Sequence, residues 1–506
     1  MKIHFQLILF LFVPLLFLNA QEKDLISITN LRANLEVLAS DEFEGREAAT
    51  RGDRLSQLFI ISELKKSGIK PLPEYPDFRM PVELVLTKIS NKSTFSLDPG
   101  AGQEKKVIKF GEDIVSWSKY RSDTVLNYQV VFVGYGLDVP ELGWNDYEGL
   151  DVKGKLVIIA SGVPKVLNPT GDPTVEEELS SAKLYSAYGK GAAGLVFAGD
   201  RSIEEEWSSL SKPAISLPSK SSRRNPRSGV FLMREAGLTK LLSGSQLSPE
   251  EYIQKAGAGE KLPRFQLGHS GTFDIKATQE QGYTTNIIGY IEGSDPVLKD
   301  EFVAIGAHYD HVGIDRGKVY NGADDDGSGI VAVLESARAL ASAKKIKRSV
   351  LIVLHGAEEK GLLGASYLSD NFGRMDKIIA QINIDMVGRE HPDSIYSVGS
   401  AKISPELKTI VEEVNKKTVN FAFNYKFDEP DDPNRIYERS DHYHYARKGI
   451  PVVFFYDYML EDYHQPGDDV EKINFEKIKK ISELIYHLSI RLTNLDTRLR
   501  TDQQAE

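Results

Sequence analysis

Three stretches decide the fold: FVAIGAHYDH (Phe302–His311), NGADDDGSGIVAVLE (Asn321–Glu335) and RSVLIVLHGAEEKG (Arg348–Gly361). The first and third open with apolar, β-branched runs of strand length that give way to histidine and carboxylate. The second is an acidic, glycine-rich loop that leads into an apolar helical stretch. Two later segments extend the pattern: INIDMVGRE, carrying Asp385, and EDYHQPGDD, carrying His464. His308, Glu359 and Asp385 each follow an apolar β-branched run. In open α/β sheets the carboxyl ends of the strands form the crevice where ligands bind. Imidazole with carboxylate is the donor mixture that suits zinc.

The chain has 506 residues, too many for one ordinary core, so at least two domains are expected. MKIHFQLILFLFVPLLFLNA reads as a signal peptide over residues 1–20, cleaved near Ala20: Lys2 precedes a short apolar run that ends at a small residue. No later stretch approaches eighteen consecutive apolar residues, so no membrane span is expected in the mature chain. Absence of cysteine excludes disulfides and thiolate metal ligands. The expected location is secreted or periplasmic, in a bacterium. A net charge of −11 disfavours nucleic acid as a partner. The basic run Lys220–Arg227 is rich in Ser and Pro and reads as a solvated loop.

Along the chain, leucines at 31, 35 and 38 mark one helix, and Arg51–Lys66 a second, closed by Gly68 and Pro71. Residues 21–123 read as the N-terminal part of the main domain, with short strands and loops from Phe78. Residues 124–267 form an inserted domain with α and β elements of its own and no histidine. From 268 to 495 strands and helices alternate, ending in a helix over Phe475–Leu492, and 496–506 is a polar tail. The alternation predicts a three-layer α/β sandwich with a largely parallel, mixed sheet.

His308, Asp325, Glu359, Asp385 and His464 can hold two divalent cations. The three carboxylates offset three of the four charges that two zinc ions bring. Such a site lowers the pKa of a bound water towards about 7 and polarises a carbonyl. Glu358, beside Glu359, is then free to act as general base. Each motif taken alone has a plainer reading: AEEKG an acidic turn, GADDDGSG a helix cap, HYDH and YHQPGD surface loops. Their gathering at strand ends of one α/β half favours the metal site.

These segments resemble the co-catalytic zinc peptidase family of bacterial leucyl aminopeptidases, glutamate carboxypeptidases and glutaminyl cyclases. The shared order is His-x-Asp, an Asp before small-Ser-Gly, Glu-Glu, Asp and a late His. The resemblance makes Asp325 the bridging carboxylate, ahead of Asp324 and Asp326. It makes His308 and Asp385 terminal ligands of different metals, with Glu359 and His464 completing the two spheres. It also makes Asp310 the partner that orients His308, and implies a cis peptide between Asp325 and Asp326. LASDEFEGR near the start is similar to the family's N-terminal region, and the insert resembles a protease-associated domain. Tyr463 takes the place of a tyrosine that donates to the oxyanion in some secreted members. Asp441 and His442 resemble a segment on the specificity side of the pocket. His311, His355 and His444 match no ligand position and read as supporting or loop residues.

The implied activity is that of a secreted di-zinc exopeptidase, an aminopeptidase acting on peptides through a metal-bound hydroxide with Glu358 as base. Two rivals share the scaffold. Glutamate-carboxypeptidase-like action needs a basic pocket, for which Arg389, Arg435 and Arg439 are candidates, and glutaminyl-cyclase-like action needs one zinc. A third reading is a metal-bound, non-catalytic binding protein. Oligomeric state and side-chain preference stay open.

Overall fold

Strands Phe302–His308, Ser349–His355, Ile378–Asp385 and Val452–Tyr456 are buried along their whole length. Near-continuous apolar runs of this kind belong to a sheet covered on both faces. The computed structural model describes residues 25–501, except 101, 103, 200, 206, 219–228, 344–345, 390, 431, 433 and 459–460. The expected signal peptide and the basic run at 220–227 lie outside the described residues.

The four strands pair in parallel, in the order Ser349–His355, Phe302–His308, Ile378–Asp385, Val452–Tyr456. Antiparallel strands extend the sheet on both sides. Ala277–Ile291 and Arg79–Ile89 lie beyond Ser349–His355, and Ser394–Val398 lies beyond Val452–Tyr456. Successive side chains point to opposite faces. Val303, Ile305 and Ala307 meet residues of helices Ile28–Leu38, Arg51–Lys66, Gly329–Ser342, Pro405–Lys417 and Phe475–Thr493. Ala304, Leu351 and Val353 meet Leu368 and Phe372 on one side of the opposite layer and Tyr445 on the other. The result is the three-layer α/β sandwich with a mixed sheet.

A second body has its own eight-stranded sheet. Its strands run from Thr94–Asp98 to Phe265–Ile275, so they begin well before the Thr124 boundary read from sequence. Lys106–Lys109 pairs with Thr94–Asp98, and Ile114–Ser116 pairs with Val230–Met233. Local alternation reveals such short strands but not which sheet they join. A stack of Phe95, Phe273 and Phe231, with centroids 4.3 and 3.9 Å apart, fills this core. The two bodies are tied by the ribbon of Arg79–Ile89 on Ala277–Ile291, in unbroken register from Ile89↔Ala277 to Arg79↔Ile287. Ala214–Ser216 crosses back and adds an edge strand to the main sheet. Among the described residues no helix is long and apolar enough to cross a membrane.

Phe231→Ala is expected to cost the second body about 3–5 kcal/mol, as loss of a fully buried aromatic ring does. Urea unfolding followed by tyrosine and tryptophan fluorescence would show an earlier transition.

Candidate metal centre

Parallel pairing sets the carboxyl ends of neighbouring strands side by side, and the ligand-type residues follow from that. His308 closes its strand and Asp385 closes the next. Glu358 and Glu359 follow Ser349–His355 after a short turn through Ala357, whose φ is 58°. Asp325 sits in the loop before helix Gly329–Ser342, and His464 in the loop beyond Val452–Tyr456. The Asp325–Asp326 peptide is cis.

Asp325 faces two ways. Its Oδ1 lies 3.3 Å from His308 Nε2, and its Oδ2 lies 3.3 Å from His464 Nε2. Asp385 Oδ1 is 3.5 Å from His308 Nε2, whereas Glu359 Oε2 is 3.0 Å from His464 Nε2. His308 and Asp385 therefore share one side of Asp325, and Glu359 and His464 share the other. This corrects the assignment of His308 and Asp385 to different ions: their strands are direct neighbours, so their ends converge. His311, treated as a supporting residue, turns Nδ1 to Glu359 Oε1 at 2.8 Å. Among the described residues, two sets of donor atoms lie close enough to hold a cation: His308, Asp325 and Asp385, and His311, Asp325 and Glu359.

The donors fit divalent cations. Carboxylates of Asp325, Glu358, Glu359 and Asp385 converge in buried or nearly buried positions, which is costly unless positive charge joins them. The Nε2 atoms of His464 and His311 are buried without a hydrogen-bond partner. Burial pushes the His308 ring down, yet Glu358, Asp385 and Asp325 outweigh it and hold the ring well above its ordinary value. Burial likewise lowers His464, while Glu359 and Asp325 bring it up to about 10. Burial raises Asp325, but His311, His308 and His464 hold it well below the usual carboxylate range. Burial and Asp325 raise Glu359, and His464 with His311 bring it down to about 2. Glu358 differs: burial first, then Glu359, Asp441 and Asp385, raise it well above that range against the pull of His308.

Backbone amides and carbonyls hold this cluster in place. Asp310 was expected to orient His308 by its side chain; its main-chain carbonyl does so instead, 3.1 Å from Nδ1. The Asp310 carboxylate accepts the amides of Glu358 at 2.9 Å and Glu359 at 3.3 Å. Burial pushes that carboxyl up to about 7. Asp326 accepts from the amides of His308, Gly329 and Met386. Asp324 accepts from Gly388 at 2.7 Å. Asp468, itself bound by Arg389, accepts the amides of Asp324 and Asp325. Ser440 donates to Asp385 Oδ2 at 2.8 Å and accepts from Asn383.

Sequence reasoning passed over Arg46. This fully buried side chain donates to the carbonyls of Tyr309, Leu38, Asn321, Gly322 and Asp325 at 2.5–3.3 Å. The only signal was its place in LASDEFEGR. Asp441 and His442, weighed as substrate contacts against structural hydrogen-bonding residues, are both fully buried. The His442 ring packs on Phe454 at 4.5 Å, and neither Asp441 oxygen finds a hydrogen-bond donor. Asp441 is the N-cap and His442 the first residue of a short helix that runs to Ala446. The cleft is lined above the carboxylates by Met386, Ile436, Arg439, Phe454, Tyr456 and Tyr463. The Tyr463 ring stacks on His464 at 3.9 Å. Burial, then Asp325, Glu359 and Glu358, raise its phenol above the ordinary range, so it stays a donor at neutral pH.

Residues 286–489 match the family model described as Peptidase family M28. Aminopeptidase YwaD of Bacillus subtilis (strain 168) is 28% identical over 262 residues, 49% of this chain and 52% of the relative. A probable leucine aminopeptidase of Arthroderma benhamiae is 28% identical over 201 residues, 38% of this chain and 54% of the relative. The chain thus spans about half the length of the curated relatives it matches. Among solved structures, BSAP, a zinc aminopeptidase from Bacillus subtilis, aligns with 92% of this chain and 94% of its own. The TM-score is 0.55 at 20% identity. An aminopeptidase from Aneurinibacillus sp. strain AM-1 gives 0.54 at 17% identity, covering 92% and 93%. These two likenesses establish the fold.

Arg46→Met takes the guanidinium donors away from five main-chain carbonyls. It is expected to cost about 3–5 kcal/mol in urea unfolding and to lower zinc uptake in the same preparation.

Proposed function

We propose that this chain is a di-zinc exopeptidase that removes residues from the amino end of peptides. The observation that carries the reading is Asp325, whose two carboxylate oxygens each face a different histidine across the cleft. His308 with Asp385 would hold one ion, and Glu359 with His464 the other. The M28 match over 286–489 and the aminopeptidase names of the relatives support the same conclusion. When bound, the ions supply Lewis acidity towards a carbonyl and lower the pKa of a water.

The chain's own residues supply the proton chemistry. Glu358 Oε2 lies 3.9 Å from His308 Nε2, at the edge of the cluster, and makes no ligand-type approach to His464. Burial and its carboxylate neighbours give Glu358 a high proton affinity, which suits a group that takes a proton from water and passes it to the leaving amine. The Tyr463 hydroxyl donates to the oxyanion. Ser440 and Asp310 fix the geometry, one at Asp385 and the other at the Glu358–Glu359 backbone. The acidic rim receives the free α-amine. We take the second body for a protease-associated domain that limits the size of entering peptides, and residues 1–20 for an export signal.

Incubation of one peptide in free, N-acetylated and C-amidated forms with the zinc-supplemented protein tests the reading by mass spectrometry. Stepwise loss from the amino end, blocked by acetylation, is expected. Loss from the carboxyl end, blocked by amidation, would replace it with the carboxypeptidase reading. Unchanged peptides would move the assignment to cyclisation or binding.

Glu358→Gln is expected to keep its zinc by elemental analysis while kcat falls by about 10²–10⁴. Tyr463→Phe should lower kcat by about 10²–10³ with KM nearly unchanged, since its hydrogen bond serves the oxyanion. Full activity in Tyr463→Phe would remove the residue from the mechanism.

A further inference from the structure

We infer that Arg439 is a specificity residue that binds a carboxylate of the substrate at the mouth of the metal cleft. On this inference, which rests on the peptidase reading above, the chain favours peptides that present an acidic group there. Among the described residues lining the cleft, Arg439 is the one permanent cation. It is exposed, and no ion pair or hydrogen bond of its side chain is found among the described residues. The two other arginines near the motifs are committed elsewhere. Arg389 is buried against Asp468 at 2.6 Å and Asp462 at 3.1 Å, and Arg435 pairs with Glu438. Only Arg439 remains to receive an anion.

Its position is fixed from the backbone. The Arg439 amide closes a turn on the carbonyl of Ile436 at 3.0 Å. The next residue, Ser440, is anchored to Asp385 at 2.8 Å. The main chain that carries Arg439 is therefore held next to a residue whose side chain donates to Asp385 of the cluster. Arg439 lines the same cleft as the Tyr456 and Tyr463 phenols. Among the described residues none of the carboxylates at the base of the cleft forms an ion pair with Arg439; their ion pairs are with histidines.

The chemistry of the ligand follows from this setting. A guanidinium offers a planar fork that matches a carboxylate with two parallel hydrogen bonds. Met386, Ile436 and Phe454 supply an apolar wall beside it, suited to the methylenes that lead to such a group. A lysine or arginine side chain in the same place would meet like charge. The carboxylate could come from two sources: an acidic side chain on the amino-terminal residue, or the free carboxyl end of a dipeptide.

Two matched pairs of substrates separate these sources. Glu-Ala-amide against Gln-Ala-amide reads the side chain, and Leu-Ala against Leu-Ala-amide reads the chain end. Wild type is expected to favour the carboxylate member of one pair by about tenfold or more, the worth of a charge-assisted contact. Arg439→Gln should abolish that preference through KM, with kcat and the amide member little changed, and Arg439→Lys should restore part of it. No preference in wild type, or equal losses on both members of a pair, would overturn the assignment. If wild type cleaves no peptide, the peptidase reading fails by itself. Arg439 is then judged by calorimetric titration of glutamic acid α-amide against glutamine α-amide, and of leucine against leucinamide. A preference for the acid in either pair, present in wild type and absent in Arg439→Gln, sustains the inference; its absence in both pairs ends it.

Discussion

The site depends on a buried guanidinium that pairs with carbonyls instead of carboxylates. Arg46 donates to the main chain on both sides of the cleft: Tyr309, next to His308, and the loop Asn321–Asp325. Burial lowers its proton affinity, while Asp325, Asp468, Asp326 and Asp310 raise it. The same side chain thus ties two ligand-bearing segments together and offsets part of the negative charge gathered between them. A neutral residue could fill the space, but it could neither satisfy the carbonyls nor counter the carboxylates.

Around that anchor the acidic residues divide into two kinds. Asp325, Glu359 and Asp385 turn their oxygens to imidazoles. Asp310, Asp324, Asp326 and Asp468 turn theirs to backbone amides. Amide-bound carboxylates fix the main chain of the strand ends, and that fixes the angles at which the first group converges. Orienting partners of this sort decide how well ligands are pre-arranged for a metal.

Much of this was legible in the sequence because strand ends are. Apolar runs closing on His308 and Asp385 mark both the sheet and its crevice, and the Gly-Ser-Gly after Asp325 marks a helix start. Relations across the sheet were hidden. That His308 shares its side of Asp325 with Asp385 follows from strand order, which no local pattern records. Asp310 acts on the Glu358–Glu359 amides because the loops meet in space, and its spacing from His308 pointed to a different role. Thr94–Asp98 and Ile114–Ser116 join the second sheet through partners more than a hundred residues away. Arg46 left no trace beyond its place in LASDEFEGR, because its partners are carbonyls, which every residue has. Asp441 and His442 were drawn to the pocket by resemblance, and the helix turn that carries them buries both.

The central proposal is that Asp325 would bridge two metal ions. Crystals grown with zinc, measured at the zinc absorption edge, test it directly. Two anomalous peaks about 3.5–4 Å apart are expected, one beside His308 and Asp385 and the other beside Glu359 and His464, with Asp325 between them. A single peak, or zinc bound away from Asp325, would contradict the account.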